Sequence, residues 1–219
     1  MPSKKPYKGI GMEGRIAAWY AKNTLKDIAE FRSLADRLSH ETPAGSRILE
    51  VAPGPGYLSI ELAKRGRFEI VGLDISTSFA EIAKENARKE SVTVEFRHGN
   101  ASAMPFADHS FDLIVCRAAF KNFSEPVEAL NEMFRTLTAG GRAVVLDLRK
   151  DAAYKDVAAY VEKLNLGWFD SLLTKGIFLL LLIPRAYSKD QFKQMASRSR
   201  FGGCSITESG IGLEVRLTK

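Results

Sequence analysis

Apolar residues in the middle of the chain fall into short runs that alternate with segments of helical spacing. Arg47-Ile-Leu-Glu-Val51 and Phe68-Glu-Ile-Val-Gly-Leu73 read as buried strands, and Val92 to Phe96 alternates as a third. Phe111-Asp-Leu-Ile-Val-Cys116 is a fourth and Arg142 to Leu148 a fifth. Between them, Tyr57 to Lys64 has helical spacing, and Ser76 or Thr77 can cap a helix through Phe79, Ile82 and Ala83 to Lys89. A further helix over Pro126 to Leu137 is expected to end at Gly140-Gly141, a pair suited to a C-terminal cap. Strand and helix in alternation predict a doubly wound α/β fold, because each crossover packs a helix back onto a parallel sheet. Ligands of such sheets bind beyond the carboxyl ends of the strands.

The flanks are helical in character. Met12 to His40 spaces Trp19, Tyr20, Leu25, Ile28, Phe31, Leu34 and Leu38 for a covering face. Ala152 to Pro184 is inserted after the fifth strand's carboxyl end, where a lid would sit. Lys189 to Ser197 continues as helix, and Ser205 to Glu208 with Gly212 to Leu217 reads as a last strand pair turned at Ser209-Gly210.

Composition narrows the class. A length of 219 residues suits one domain, and 45% apolar with 26% charged residues is ordinary for a globular protein. The formal charge of +6 is spread over the chain, with tight groups only at Lys4, Lys5 and Lys8 and at Arg198 and Arg200. Solvated faces are therefore expected, and nucleic acid is not expected as a partner. Cys116 and Cys204 form no metal or disulfide motif, no leader-like apolar core follows the start, and the Ile177–Ile183 run is too short to span a bilayer. A cytoplasmic location, no metal, no membrane span, and a monomer or homodimer are the expectations. The Ile177–Ile183 run is read as buried or interfacial.

The chemistry concentrates in Ile48-Leu-Glu-Val-Ala-Pro-Gly-Pro-Gly-Tyr-Leu58, a strand that runs through Gly54 and Gly56 into a helix. Glycines there let backbone approach a ligand, and the helix start offers free N–H groups. Asp74 ends the second strand 20 residues beyond Gly54, where an acid can accept both hydroxyls of a ribose. The nicotinamide pattern fails because Ser59 holds the third glycine position, and the phosphate loop fails because no Gly-Lys-Ser/Thr follows.

Four ordered signatures, Glu50-Val-Ala-Pro-Gly-Pro-Gly56, Gly72-Leu-Asp-Ile-Ser76, Gly99-Asn-Ala-Ser-Ala-Met-Pro-Phe106 and Ser110-Phe-Asp-Leu-Ile-Val115, are joined by a fifth at Ala129–Arg142. With them the chain, over about residues 45 to 150, resembles the class I S-adenosylmethionine-dependent methyltransferases. Within these it is similar to the small-molecule group of ubiquinone/menaquinone-biosynthesis and methyltransferase-domain-11 type. The resemblance implies a mostly parallel seven-stranded Rossmann-like methyltransferase fold, with an N-terminal helical cap and a helical insertion after the fifth strand. The expected organisation is one domain: cap helices over 1–42, a cofactor-binding core over 45–150, a helical lid over 152–188, and the last helix and strand pair over 189–219.

Carried over by position, the resemblance implies that Gly54 and Gly56 of the cofactor-binding loop Ala52–Gly56 lie against the methionyl part, and that Glu50 orders that loop or its bound waters. Asp74 would hold the ribose, in service of a ligand and not of the core. Ile75 and Phe79 would sandwich adenine, Asn100 and Ala101 would meet its polar edge, Arg117 would lend backbone near the ammonium, and Tyr20 would close over the cofactor. Ala52 stands where the family has glycine, and is expected to be tolerated with negative φ. Asn100 replaces a commoner aspartate, and Phe120-Lys-Asn-Phe123 replaces a frequent histidine after the fourth strand.

Phe120, Trp168 and Phe178 are expected to form an acceptor pocket. Lys121 and His98 are the candidates for a base, each set against a plainer reading: a solvated lysine and a polar edge residue. Phe106 and Phe111 are expected as core anchors, and Glu13 and Arg15 as caps of the first helix. The function expected is methyl transfer from S-adenosylmethionine, leaving S-adenosylhomocysteine, to a small and partly apolar molecule. The rivals are an RNA or protein methyltransferase and a non-catalytic cofactor-binding protein.

Overall fold

The computed structural model describes residues 7–8, 11–164 and 167–219; Lys4 and Lys5 of the N-terminal basic group lie outside them. In chain order come α1 (Gly14–Thr24), a short 3₁₀ turn, α2 (Ile28–Glu41), β1 (Arg47–Val51), α3 (Tyr57–Ala63), β2 (Glu69–Asp74), α4 (Thr77–Lys89), β3 (Glu95–His98) and β4 (Phe111–Arg117). Then follow α5 (Pro126–Thr136), β5 (Leu137–Leu148), α6 (Tyr154–Lys163), α7 (Trp168–Ile177), α8 (Lys189–Arg198), β6 (Ser205–Ser209) and β7 (Gly212–Thr218). The strands make one seven-stranded sheet of order β3-β2-β1-β4-β5-β7-β6, parallel except where β7 runs against β5 and β6.

Strand parity builds the two faces. Ile48, Ile70, Leu113, Val115 and Val144 meet Phe31, Leu34 and Leu38 of α2 and Leu58 and Leu62 of α3. Their neighbours Leu49, Val51, Val71, Leu73, Ile114, Cys116 and Val145 point the other way, into a cluster with Leu130 and Met133 of α5 and Phe192 and Met195 of α8. Strands buried on both faces explain the near-continuous apolar runs in the sequence. Phe111 is fully buried as a core anchor, and Phe106 packs edge-on against it from the partly buried rim of the same cluster.

Several boundaries differ from expectation for identifiable reasons. Val92 does not begin β3: Ser91 has φ +55° and the Val92 N–H still bonds the Ala87 carbonyl, closing the end of α4. Pairing with β2 starts only at Glu95. Gly140-Gly141 does not cap α5, which ends at Thr136; Leu137 already pairs with Phe111, and the glycines form a bulge that shifts the β4–β5 register. The expected turn at Ser209-Gly210 is formed by Gly210 and Ile211. On the N-terminal cap, Trp19 and Leu25 lie outside the covering face and are exposed, while Phe31, Leu34 and Leu38 are buried. Glu13 precedes α1 but gives it no side-chain cap.

The two central strands end alike. Ala52 and Ala118, each the residue after its strand, have φ +57° and +58°. The Ala52 N–H donates to the Leu73 carbonyl and the Ala118 N–H to the Leu146 carbonyl, so each stays in the sheet ladder while the chain turns sharply away. The expectation of a negative φ at Ala52 is therefore wrong; the left-handed conformation costs about 1–2 kcal/mol and is held by the ladder bond.

Gly56, with φ +80°, opens α3, and a Cβ there would lie 2.8 Å from Phe96 Cζ and 2.9 Å from Ala83 Cβ. Its absence of a side chain serves helix packing. Gly56→Ala should therefore lower stability by about 2–4 kcal/mol, the sum of backbone strain and overpacking, as read by urea unfolding. A loss below about 0.5 kcal/mol would show that neither constraint operates.

Candidate active site

A cavity of about 1200 Å³ opens at the carboxyl ends of β1, β2, β4 and β5, where the strand order reverses. Its floor is the turn after β1. The Gly54 N–H donates to Asp74 Oδ2 at 2.9 Å and the Ser76 N–H to Asp74 Oδ1 at 2.9 Å, so one carboxylate joins the glycine loop to the end of β2. Gly54 has φ +55° and open space where a Cβ would stand, which leaves its backbone bare to the cavity. Asp74 is nearly buried, and burial raises its carboxyl above the ordinary range against the pull of these N–H donors. It thus serves the fold as well as any ligand, contrary to the expectation of a ligand role alone.

Glu50 lies beneath this loop, fully enclosed, and accepts from the N–H and hydroxyl of Ser59 in the first turn of α3. Burial pushes its carboxyl up to about 7. Ser76 caps α4 by accepting from the Phe79 N–H, and its hydroxyl donates to the Met12 carbonyl at 2.6 Å. Glu13 accepts from the Thr77 and Ser78 N–H groups, so it caps α4, not α1. These bonds stitch the start of α1 across the cavity and bring Tyr20 edge-on to Phe79, their ring centroids 5.6 Å apart.

Ten of the eleven residues expected around the cofactor line the cavity: Tyr20, Glu50, Ala52, Gly54, Asp74, Ile75, Phe79, Asn100, Ala101 and Arg117. Gly56 does not. Asn100 Oδ1 accepts from the Ser102 N–H, and the Arg117 guanidinium pairs with Glu30 at 2.7 Å while lying 4.3 Å from the Phe31 ring centroid.

Of the acceptor trio only Phe178 reaches the cavity, in a wider π-type turn, Phe178–Leu182, that continues α7. Phe120 is fully buried against Phe123 and Phe192, because the short 3₁₀ turn after β4 directs it into the core. Trp168 is 81% exposed and faces outward. The Ile177–Ile183 run is likewise not simply buried, since Leu180 and Leu181 are exposed.

Lys121 lines the cavity but is not solvated: its ammonium donates to Asp147 at 2.8 Å and to the Ala118 carbonyl, with both charged side chains buried. His98 sits outside the cavity at the sheet edge, its Nε2 3.1 Å from the Ile75 carbonyl.

Sequence reasoning missed Tyr7, Glu13, Tyr160 and Asp147, all of which line the cavity. Asp147 could have been found, since it lies at the carboxyl end of β5. Tyr7 is tied to the site by a bridge to Phe123, for which the sequence carries no signal.

The lining is acidic although the chain is basic. Among the described residues, Glu13, Asp27, Glu30, Glu50, Asp74, Asp147 and Glu214 face three cations, Arg117, Lys121 and Arg185. Toward α6 and the π-type turn the wall becomes apolar, with Leu148, Tyr160, Phe178, Leu182 and Ile211. No group of His, Cys, Asp and Glu among the described residues could hold a metal ion, and none of their helices is long and apolar enough to cross a membrane.

This sheet order, with a glycine loop after β1 and an acid at the end of β2, is the Rossmann-like architecture of S-adenosylmethionine-dependent methyltransferases. Residues 49–145 match the family described as a methyltransferase domain. The demethylmenaquinone methyltransferase of Deinococcus radiodurans is 37% identical over 120 residues, which cover 54% of this chain and 48% of the relative. The chain spans about half the length of the curated relatives it matches.

Among solved structures, a Methanococcus maripaludis protein described as an S-adenosylmethionine-dependent methyltransferase superposes with a TM-score of 0.74 at 20% identity, covering 100% of this chain and 97% of the other. The plantazolicin methyltransferase BpumL, solved with S-adenosylhomocysteine, gives 0.69 at 15% identity, covering 94% and 89%. At these identities the likeness is one of fold.

The raised Glu50 carboxyl has a consequence for stability. Its folded value of about 7 exceeds the ordinary 4.5, so the folded state binds the proton more tightly. The resulting stability is complete below pH 4.5 and is lost as pH rises to about 7, roughly 3 kcal/mol over that window. Glu50→Gln, which can still accept from Ser59, should flatten this part of the profile in urea unfolding. Parallel profiles for the two proteins would place the titration elsewhere.

Proposed function

We propose that the protein binds S-adenosylmethionine in this cavity and transfers its methyl group to a small, partly apolar acceptor. The observation that carries the reading is the pairing of an acidic, glycine-floored end with an apolar end in one cavity. A phosphate-bearing cofactor or an RNA acceptor would meet the acidic wall unfavourably, whereas a ligand with sulfonium and ammonium charges complements it.

The residues present suit that ligand. Gly54 offers bare backbone, Asp74 a carboxylate with acceptor capacity left beyond its two N–H partners, and Tyr20 and Phe79 offer aromatic surface for a base. When bound, S-adenosylmethionine supplies an electrophilic methyl group whose leaving group is a neutral thioether. The chain's own contribution is then positional. Phe178, Leu182 and Tyr160 would orient the acceptor and exclude water, which accounts for rate enhancement without a strong base. Lys121, ion-paired to Asp147, serves this reading as the group that fixes the Ala118–Lys121 turn. The demethylmenaquinone methyltransferases among the relatives make quinone precursors the first acceptors to try.

Calorimetry should detect S-adenosylmethionine or S-adenosylhomocysteine binding, and ligand at 100 times its dissociation constant should add about 2.7 kcal/mol of stability. Asp74→Asn should weaken that binding by about 1–3 kcal/mol. Release of S-adenosylhomocysteine over a panel of quinols, phenols, thiols and amines tests the acceptor. Phe178→Ala should raise the acceptor KM while leaving cofactor affinity within about threefold, ~0.7 kcal/mol. Binding of NADH in place of S-adenosylmethionine would overturn the assignment.

A further inference from the structure

The continuous helix formed by α7 and the π-type turn after it has two unlike apolar sides. One carries Phe178 and Leu182 into the cavity. The other leaves Trp168, Phe169, Leu172, Leu173, Leu180 and Leu181 in solvent, with Trp168 81% and Leu180 77% exposed. With Ile177, 39% exposed, between Leu173 and Leu180, they recur every three to four residues and make a stripe along the helix.

Across the same cavity, α1 repeats the arrangement. Tyr20 and Trp19 line the cavity, yet Trp19 is 67% exposed, and Ile16 and Leu25 stand in solvent nearby in the chain. The chain's only two tryptophans, Trp19 and Trp168, thus both sit on exposed cap surfaces.

The charges on these pieces are mostly of one sign. Residues 14–27 and 168–185 hold Arg15, Lys22, Lys26, Lys175 and Arg185 against Asp27 and Asp170. Exposed apolar surface of this extent marks an interaction site. Two tryptophans with leucines, fringed by Lys and Arg, have the composition of segments that lie in a membrane interface. The helical run from Trp168 to Ile183 is shorter than the roughly 20 residues that a span requires. The apolar stripe is therefore suited to lying along a bilayer and not to crossing it.

From the exposed apolar stripe, the two tryptophans and the basic fringe around one cavity, we propose that α7 with the turn after it, together with α1, docks the protein on the surface of an anionic lipid bilayer. In this arrangement the cavity's apolar end lies near the lipid, so an apolar molecule can pass to Phe178 and Leu182 with little exposure to water. The docking is a property of the surface and does not depend on the reaction proposed above.

The test uses the full chain without cofactor. Vesicles of phosphatidylcholine and phosphatidylglycerol should co-sediment the protein, and vesicles of phosphatidylcholine alone should bind it more weakly, with the difference shrinking in high salt. Tryptophan emission should shift to the blue on binding and be quenched by brominated acyl chains. Leu172→Glu with Leu180→Glu should lower lipid partitioning by at least about tenfold, given the loss of two large apolar contacts. Both sites are exposed, and unchanged calorimetric binding of S-adenosylhomocysteine, or an unchanged circular dichroism melt, certifies that the variant is folded.

Failure to co-sediment with anionic vesicles, or emission untouched by brominated lipid, would overturn the proposal. So would a doubled mass in light scattering without lipid that the same double variant abolishes, since the stripe would then be covered by a second copy of the chain. Because no step of the test reads methyl transfer, a failure here leaves the catalytic reading standing, and the reverse also holds.

Discussion

The carboxylate of Asp74 holds the candidate site together. It accepts from Gly54 in the loop after β1 and from Ser76 at the start of α4, so the two segments are fixed to one another at the carboxyl edge of the sheet. Through Ser76 the tie continues to Met12, and through Glu13 the N-terminal segment is fastened to the same helix end. Remove the carboxylate and the glycine loop, the cap of α4 and the wall carrying Tyr20 lose a common anchor. Any ligand hydrogen-bonded to Asp74 would thus bind to a group whose position is already determined, which lowers the ordering cost of binding.

The cavity's acidity is arranged by pairing and by burial. Glu30 is held by Arg117, Asp147 by Lys121 and Glu214 by Arg37, while Glu50 accepts from Ser59 and has a carboxyl raised by burial. The ion-paired acids lie along the wall; the acid beneath the loop holds the first turn of α3. The same residue type therefore does electrostatic work at one depth and structural work at another.

Much of this was legible from the sequence wherever spacing alone determines geometry. Short, near-continuous apolar runs marked the strands of the buried sheet, and the interval from Gly54 to Asp74 marked the meeting of loop and acid at the cavity floor. What escaped depended on partners distant in the chain. Nothing local says that Ala52 must turn left-handed, because the constraint is a hydrogen bond to Leu73 on the neighbouring strand. Gly56 looked like a ligand glycine by its place in the motif, yet it is demanded by Phe96, forty residues away. Trp168 looked like pocket lining because its segment follows the carboxyl end of β5, where ligands of such sheets bind; here its neighbour is solvent. Helical periodicity separates one face from another, but it does not say which face meets the sheet.

The placement of β7 bears on how the chain reaches its native state. It is the last strand in the chain order but lies inside the sheet, pairing with β5 over seven residues and separating it from β6. Arg37 and Glu41 of α2 grip Glu214 and Arg216 of β7 at a separation of more than 170 residues. A ribosome that has released β1 to β5 has therefore produced a sheet with an open edge at β5, apolar and unpaired, that stays exposed until the final hairpin arrives. Contacts of such long sequence separation close slowly, so the half-made chain has a period of vulnerability to edge-to-edge association.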